Sequence, residues 1–451
     1  MKDILLITVD SLRADYVFGP KAPDSLETLP KLADDGIHFT NAHSNAGYTK
    51  ASFLSILSGT YPWMFDAVDE GFDPDRPHVA ELLSDVGYET AGFHTNAYLS
   101  PTYNYDRGFD QYLGRENASS DAGMGHFEST FNDLVETAVS TRGVAEVVHW
   151  VYSQAGKRVG LQLGSNLYRP AEDLNDTIVE WTRESSGPRF VWAHYMDVHN
   201  PYYPHEGTVS EGLSRRKAIK LFHRVNEQRG DAPQTDIDTL ERLYRGEIEY
   251  FDRELGDFLE RLDDTIGLDD TLVVFSSDHG EAFNERGVVF HPGSALYEEN
   301  VHIPIIVRDP EIGHSTVETP VSNVDLVPTL LSAADIDGPE ELVGRDLTTL
   351  HSHPPDDRFV FAEAYSQEDG YAMVTDGKYR LLRDMAAGED TLYSRFESTR
   401  SNGEAPEKVR EELSAALDEH IDSVEQVDGQ GGDVEVTEDV RLQLRKLGYD
   451  E

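Results

Sequence analysis

The sequence predicts an α/β fold with a mostly parallel central sheet, followed by a small antiparallel α+β subdomain. Three observations predict it. Short runs that read as strands recur at Ile4 to Val9, Glu89 to Phe93, Arg189 to Met196 and Thr271 to Phe275. Helical patterns alternate with them, over Thr28 to Asp35, Pro77 to Val86, about 171–184 and 234–264. From about residue 357 the pattern changes, and Phe359-Val-Phe-Ala, Gly370-Tyr-Ala-Met-Val-Thr and Lys378-Tyr-Arg-Leu-Leu become short strands divided by turns.

Composition bounds the function. A chain of 451 residues buries a large core and has room for more than one domain. Asp and Glu total 85 against 38 Lys and Arg, a formal net charge of -47, which repels nucleic acid and anionic membranes. The periodic segments are those of a folded protein, so the acidic excess reads as a surface adapted to high salt and a halophilic source. The absence of cysteine excludes disulfides, thiolate metal sites and cysteine nucleophiles. The apolar run after Met1 is too short for a signal peptide, and no segment reads as an integral membrane span. The expected location is cytoplasmic.

The elements follow in order. The strand Ile4 to Val9 is closed by Asp10, which stands where a turn residue, a helix cap or a metal ligand would stand. The helix from Thr28 stops at Gly36, and Phe39 to His43 leads into a loop. Thr49-Lys-Ala-Ser-Phe-Leu-Ser-Ile-Leu-Ser-Gly59 reads as a helix with one apolar face, with Thr49 at its start and Gly59 at its end. Thr49 is either an N-cap or a hydroxyl nucleophile at a helix N-terminus, where an anionic group is favoured; Lys50 adds positive charge there. After the strand Glu89 to Phe93 come His94 and Asn96, as structural residues or as substrate contacts.

Residues 100–190 hold a Gly-rich aromatic stretch and then helical patterns at about 130–156 and 171–184, an insertion or lid over the sheet. Asp197 and His199 leave the carboxyl end of the strand Arg189 to Met196. The strand Thr271 to Phe275 runs through Ser276-Ser277 into Asp278-His279-Gly280-Glu281, and His291 follows. Ligand sites of open α/β sheets lie at this edge. Val301 to Val307 is a further strand and Asn323 to Ala334 a helix. Residues 1–355 thus form the main unit, 356–425 the antiparallel subdomain and 426–451 a flexible acidic tail with a terminal helix.

Three stretches together carry a family resemblance. Ile-Thr-Val-Asp10-Ser-Leu-Arg13, Thr49 to Gly59 with Thr-Tyr-Pro62, and Ser-Asp278-His279-Gly-Glu281 resemble, in order, the first metal strand, the nucleophile helix and the second metal motif of the sulfatase family of the alkaline phosphatase superfamily. The resemblance implies an alkaline-phosphatase-like three-layer sandwich with a small C-terminal antiparallel subdomain. It also implies a metal-dependent ester hydrolase with Asp10, Thr49, Asp278 and His279 as metal ligands. The departures are specific. The family's Cys/Ser-x-Pro/Ala-x-Arg places Thr49 at the nucleophile, Ala51 at Pro/Ala and Phe53 at Arg. Threonine cannot become formylglycine, since its oxidation gives a ketone. The second Asp that often follows the first strand is Ser11, and the sulfate-binding Lys and His align near Thr95 and Ala97. Threonine nucleophiles mark the phosphodiesterase and lipoteichoic-acid-synthase-like branches, which handle phosphoesters. His291 resembles the site histidine of those branches, and a family histidine at the place of His199 contacts the anionic group.

The expected chemistry is attack by Thr49 on a sulfate or phosphate ester, helped by one divalent ion. Oxygen-rich ligands suit calcium, magnesium or manganese, and added histidines suit zinc. Asp197, His199 and His291 form a possible second metal site, as in the two-zinc branch. His199 and His291 otherwise join Thr49 in catalysis, with Lys50, His94 and Asn96 toward the substrate, a small anionic ester that is sugar- or lipid-linked. Two other readings are a catalytically degenerate protein that binds an anionic glycan or lipid headgroup, and a phosphoglycerol-type transferase. The acidic surface generates a prediction for the whole chain. Dilution from high to low salt unfolds the protein, and circular dichroism that stays unchanged on dilution would count against it.

Overall fold

The computed structural model describes residues 1–66, 71–114, 169–355, 357–364, 370–395, 407–427 and 429. Its centre is an eight-stranded sheet. The strands are β1 (Asp3–Val9), β2 (Ile37–Phe39), β3 (Glu89–Phe93), β4 (Gln111–Leu113), β5 (Arg189–Tyr195), β6 (Thr271–Ser277), β7 (Ile305–Arg308) and β8 (Ser315–Val317). Their spatial order is β8-β2-β7-β6-β1-β5-β3-β4. Strands β6, β1, β5, β3 and β4 are parallel neighbours, and β7 pairs antiparallel with both β6 and β2.

Side chains alternate between the two faces of β1, as a strand buried on both sides requires. Ile4 and Leu6 join the apolar cluster that holds α2 (Thr49–Ser58) and α3 (Val79–Ser84). Leu5, Ile7 and Val9 join the cluster built from α1 (Thr28–Asp34), α4 (Ala171–Glu184), α5 (Arg215–Gln228) and the 33-residue α6 (Gln234–Ile266). The helices therefore form a layer on each face. Helix α7 (Leu326–Ala333) packs on the α2 side, and so does a four-stranded antiparallel sheet, β9 (Val360–Glu363), β10 (Tyr371–Thr375), β11 (Tyr379–Asp384) and β12 (Glu389–Ser394). Helix α8 (Glu407–Val424) adds Leu413, Leu417 and Val424 to the same cluster. Among the described residues no helix is long and apolar enough to cross a membrane.

Three expectations differ from the structure. Every residue of α2 is buried, so it has no polar outer face; it lies between the sheet and α7 rather than on the surface. The strand expected over Val301 to Val307 begins only at Ile305. Residues Glu298–Val301 make one helical turn, and Pro304, which has no N–H for the ladder, marks the boundary. Phe39 to His43 includes strand backbone, at Ile37–Phe39 and Ala42–His43. The helical pattern at 130–156 lies outside the described residues, as does nearly all of the terminal tail.

One buried group on the α2 side links stability to pH. His78 precedes α3, and its Nδ1 accepts the Ala80 N–H at 3.2 Å. Burial, with the Arg107 charge adding to it, lowers its pKa to about 3. An unfolded chain protonates its histidines near pH 6.5, whereas the folded protein resists this down to the lower value. The contribution is therefore complete above pH 6.5 and is lost as the pH falls below it. Between pH 7 and pH 5 it amounts to about 2 kcal/mol. In guanidinium unfolding, His78→Asn, which keeps a capping oxygen, should remove about that much of the acid dependence. An unchanged dependence would contradict the assignment.

Candidate active site

The site lies at the carboxyl ends of β6, β1 and β5. The register pairs Thr8 with His194 on one side and with Ser276 on the other, so the three strands end at one level. Asp10 and Asp278 follow directly on β1 and β6, and both are fully buried.

The turn after β1 is held in an unusual conformation. Ser11 has φ of 62°, a left-handed backbone that a non-glycine residue adopts at a cost. Its N–H donates to Asp278 Oδ1 at 3.0 Å, and its hydroxyl donates to Asp10 Oδ1 at 2.7 Å. Tyr244 of α6 secures the turn from below, donating its hydroxyl to Ser11 O at 2.7 Å and accepting the Arg13 N–H at 3.0 Å. Ser11 thus bridges the two acids, its hydroxyl on Asp10 and its backbone N–H on Asp278.

Thr49 is the first residue of α2; Tyr48 occupies the N-cap position, without a side-chain cap. The capping alternative for Thr49 is therefore set aside. Its hydroxyl donates to Asp10 Oδ2 at 3.2 Å and lies 3.2 Å from His279 Nε2. His279 Nε2 is also 3.4 Å from Asp278 Oδ2 and 3.8 Å from Asp10 Oδ1, while its Nδ1 faces Gly280 O at 2.9 Å. Asn96 donates to Asp10 Oδ2 at 3.0 Å.

The remaining expected residues are placed as follows. His199 and His291 have ring centroids 5.1 Å apart, and His291 is 4.5 Å from the His279 ring. His94 stacks on Trp192 at 5.8 Å, with Nδ1 at Asn96 O. Burial, and next the neighbouring His194, lower the His94 pKa to about 3. Lys50 sets its ammonium over the Tyr103 ring at 4.6 Å. Asp197 accepts the N–H of Ala171, the first residue of α4, and burial, then Glu247, raise its pKa to about 8. It is thus engaged on the α6 side, while His199 and His291 lie together.

Two residues unassigned in the sequence reading enter the picture. Glu281 Oε1 is 3.0 Å from His291 Nδ1, and its other oxygen accepts the Tyr202 hydroxyl at 2.5 Å. His194 Nε2 lies 3.5 Å from Asp10 Oδ2. The available signals were the acid two residues after His279 and an imidazole inside an otherwise apolar strand end.

Electrostatics make the carboxylate pair demanding. Burial alone would raise the Asp10 carboxyl, but His199, His194 and His279 together hold it well below the usual range. Burial, and next the charge of Asp10, push Asp278 well above it. Burial, and next His291, lower His279 to about 3, leaving a neutral imidazole. Burial would also lower His291, but Glu281 outweighs it and raises that histidine. Ligand atoms of Asp10, His194 and Asp278 all lie within 4.8 Å of one another. Asp278 Oδ2 and His194 Nε2 are buried without a hydrogen-bond partner. Orphaned polar atoms beside two buried carboxylates fit a divalent cation, which would satisfy both at once.

Comparison with known proteins gives the family and the fold. A family model described as Sulfatase matches residues 2–336. The choline-sulfatase of Rhizobium meliloti is 24% identical over 359 residues, covering 74% of this chain and 68% of that protein. The phosphonate monoester hydrolase SpPMH from Silicibacter pomeroyi superposes with a TM-score of 0.69 at 20% identity, over 97% of this chain and 98% of that one. A protein in the alkaline phosphatase superfamily from Vibrio parahaemolyticus gives 0.58 at 17% identity, over 94% and 87%. The fold is that of alkaline phosphatase, and the chain belongs to the sulfatase family of ester hydrolases.

Proposed function

We propose that the protein is a metal-dependent hydrolase of sulfate or phosphate esters with Thr49 as its nucleophile. The observation that carries the reading is the Thr49 hydroxyl, 3.2 Å from both Asp10 Oδ2 and His279 Nε2 at the N-terminus of a buried helix. Asp10, Asp278, His279 and Thr49 would hold the cation. When bound, such an ion lowers the pKa of a coordinated hydroxyl and offsets charge on the ester oxygens.

The side chains supply the rest. Asp10 accepts the Thr49 hydroxyl hydrogen, orients the group and can take its proton. The Thr49 oxygen bonds to sulfur or phosphorus as the ester oxygen leaves, and the leaving oxygen takes a proton from a histidine. His291, held by Glu281, is the candidate donor, and His199 beside it faces the same space. Water then cleaves the covalent intermediate and regenerates Thr49. Asn96 holds Asp10 in place rather than touching the ester. Free amides at the start of α2 favour the anionic group. The substrate class is a small anionic ester. One relative is named for a sulfate ester and one structural neighbour for a phosphonate ester, and both groups present a tetrahedral anion. Threonine at the nucleophile position favours the phosphorus side.

The test compares aryl phosphate monoester, phosphodiester and sulfate substrates in high salt, with manganese, zinc, magnesium or calcium. Turnover should depend on metal and fall on the order of a thousandfold or more in Thr49→Ala. Absent turnover in folded, metal-loaded protein would replace this reading with binding of an anionic glycan or lipid headgroup.

A further inference from the structure

His194 lies inside β5, one residue before the end of the strand, and is fully buried. Its ring is fixed on two sides, edge-on to Phe53 at 4.7 Å and stacked on Trp192 at 6.2 Å. Its Nδ1 lies 3.1 Å from the Thr8 hydroxyl. That hydroxyl already accepts the Trp192 indole N–H at 3.0 Å and directs its own hydrogen to Ala193 O at 3.3 Å. With that hydrogen on Ala193 O rather than on His194 Nδ1, the remaining lone pair accepts from His194 Nδ1–H, the tautomer that ligation of a metal through Nε2 requires. In that tautomer Nε2 presents a lone pair.

That lone pair faces carboxylates. Nε2 is 3.5 Å from Asp10 Oδ2, belongs to the same 4.8 Å group as Asp278, and has no hydrogen-bond partner. Acceptor against acceptor is repulsive in a buried place unless a cation lies between them. An imidazole whose far nitrogen is held by a hydrogen bond is the usual arrangement of a metal-bound histidine.

We infer that His194 is a ligand of the divalent cation and shifts the preference of the site toward zinc and away from calcium. The inference rests on the metal-dependent reading above. Nitrogen donors suit zinc, whereas calcium takes oxygen ligands alone, so His194 joined to His279 gives the site two nitrogens.

The test is metal binding, read without substrate. Full-length, metal-stripped protein in high salt is titrated with Zn²⁺ and with Ca²⁺ against a chromophoric chelator. In His194→Gln the Zn²⁺ affinity should fall at least about tenfold, with Ca²⁺ affinity changed by less than about threefold. Pulsed electron paramagnetic resonance of protein loaded with one equivalent of Cu²⁺ should count two imidazoles in the wild type and one in the variant. A wild type that binds no metal overturns the metal-dependent reading itself. A wild type that binds metal, with zinc preference and imidazole count unchanged in His194→Gln, overturns only the role of His194. If the variant does not fold, the count is taken in the wild type, His199→Gln and His291→Gln: two imidazoles in all three uphold the role of His194, and one in the wild type or a loss in either variant removes it.

Discussion

Two fully buried carboxylates, Asp10 and Asp278, set the terms for the rest of this molecule. Adjacent parallel strands β1 and β6 deliver them to the same depth, and neither is exposed. Coulomb repulsion between such groups is large in a low-dielectric interior, so the fold must oppose it from elsewhere. Burial on both faces of the sheet does so. The strands that end at the site are also the strands with apolar clusters on either side. The layers of the sandwich hold the like charges together as well as hiding apolar surface.

Hydrogen bonds then apportion the two acids. Asp10 receives Ser11, Thr49 and Asn96, whereas Asp278 receives two backbone N–H groups, from Ser11 and His279, and keeps one oxygen without a partner. The pair is also asymmetric in charge: burial opposes the low Asp10 carboxyl but the surrounding histidines hold it there, while burial and the charge of Asp10 push Asp278 high. An unequal pair of this kind shows where positive charge is missing. In the proposed chemistry that place is beside the Thr49 oxygen.

Much of this was legible in the sequence because it is local. A short apolar run leading into Asp needs no partner to be recognised; in β1 Asp10 follows at once, and in β6 Asp278 follows two serines. Gly59 marks the end of α2 because a left-handed C-cap, φ of 71°, favours glycine. The parts that escaped notice depend on contacts distant in sequence. His194 looks like a strand residue until β5 is set in register beside Thr8. The N–H that α4 places against Asp197 is likewise visible only in the tertiary structure. The burial of α2 on every side could not be read from a helix with serines on its remaining face. Ser52 finds its partners in tertiary structure, at Ser44 and Ala46 O.

Tyr244 gives α6 a significance beyond packing. The helix runs for 33 residues, and one phenol in its first third secures the backbone of Ser11 and Arg13. Each residue of a helix advances about 1.5 Å and turns about 100°. One residue added between Gln234 and Tyr244 would carry the phenol off to another face of the helix, whereas the loop before Gln234 can absorb such a change. The helix therefore acts as a ruler whose zero is set at the turn after β1.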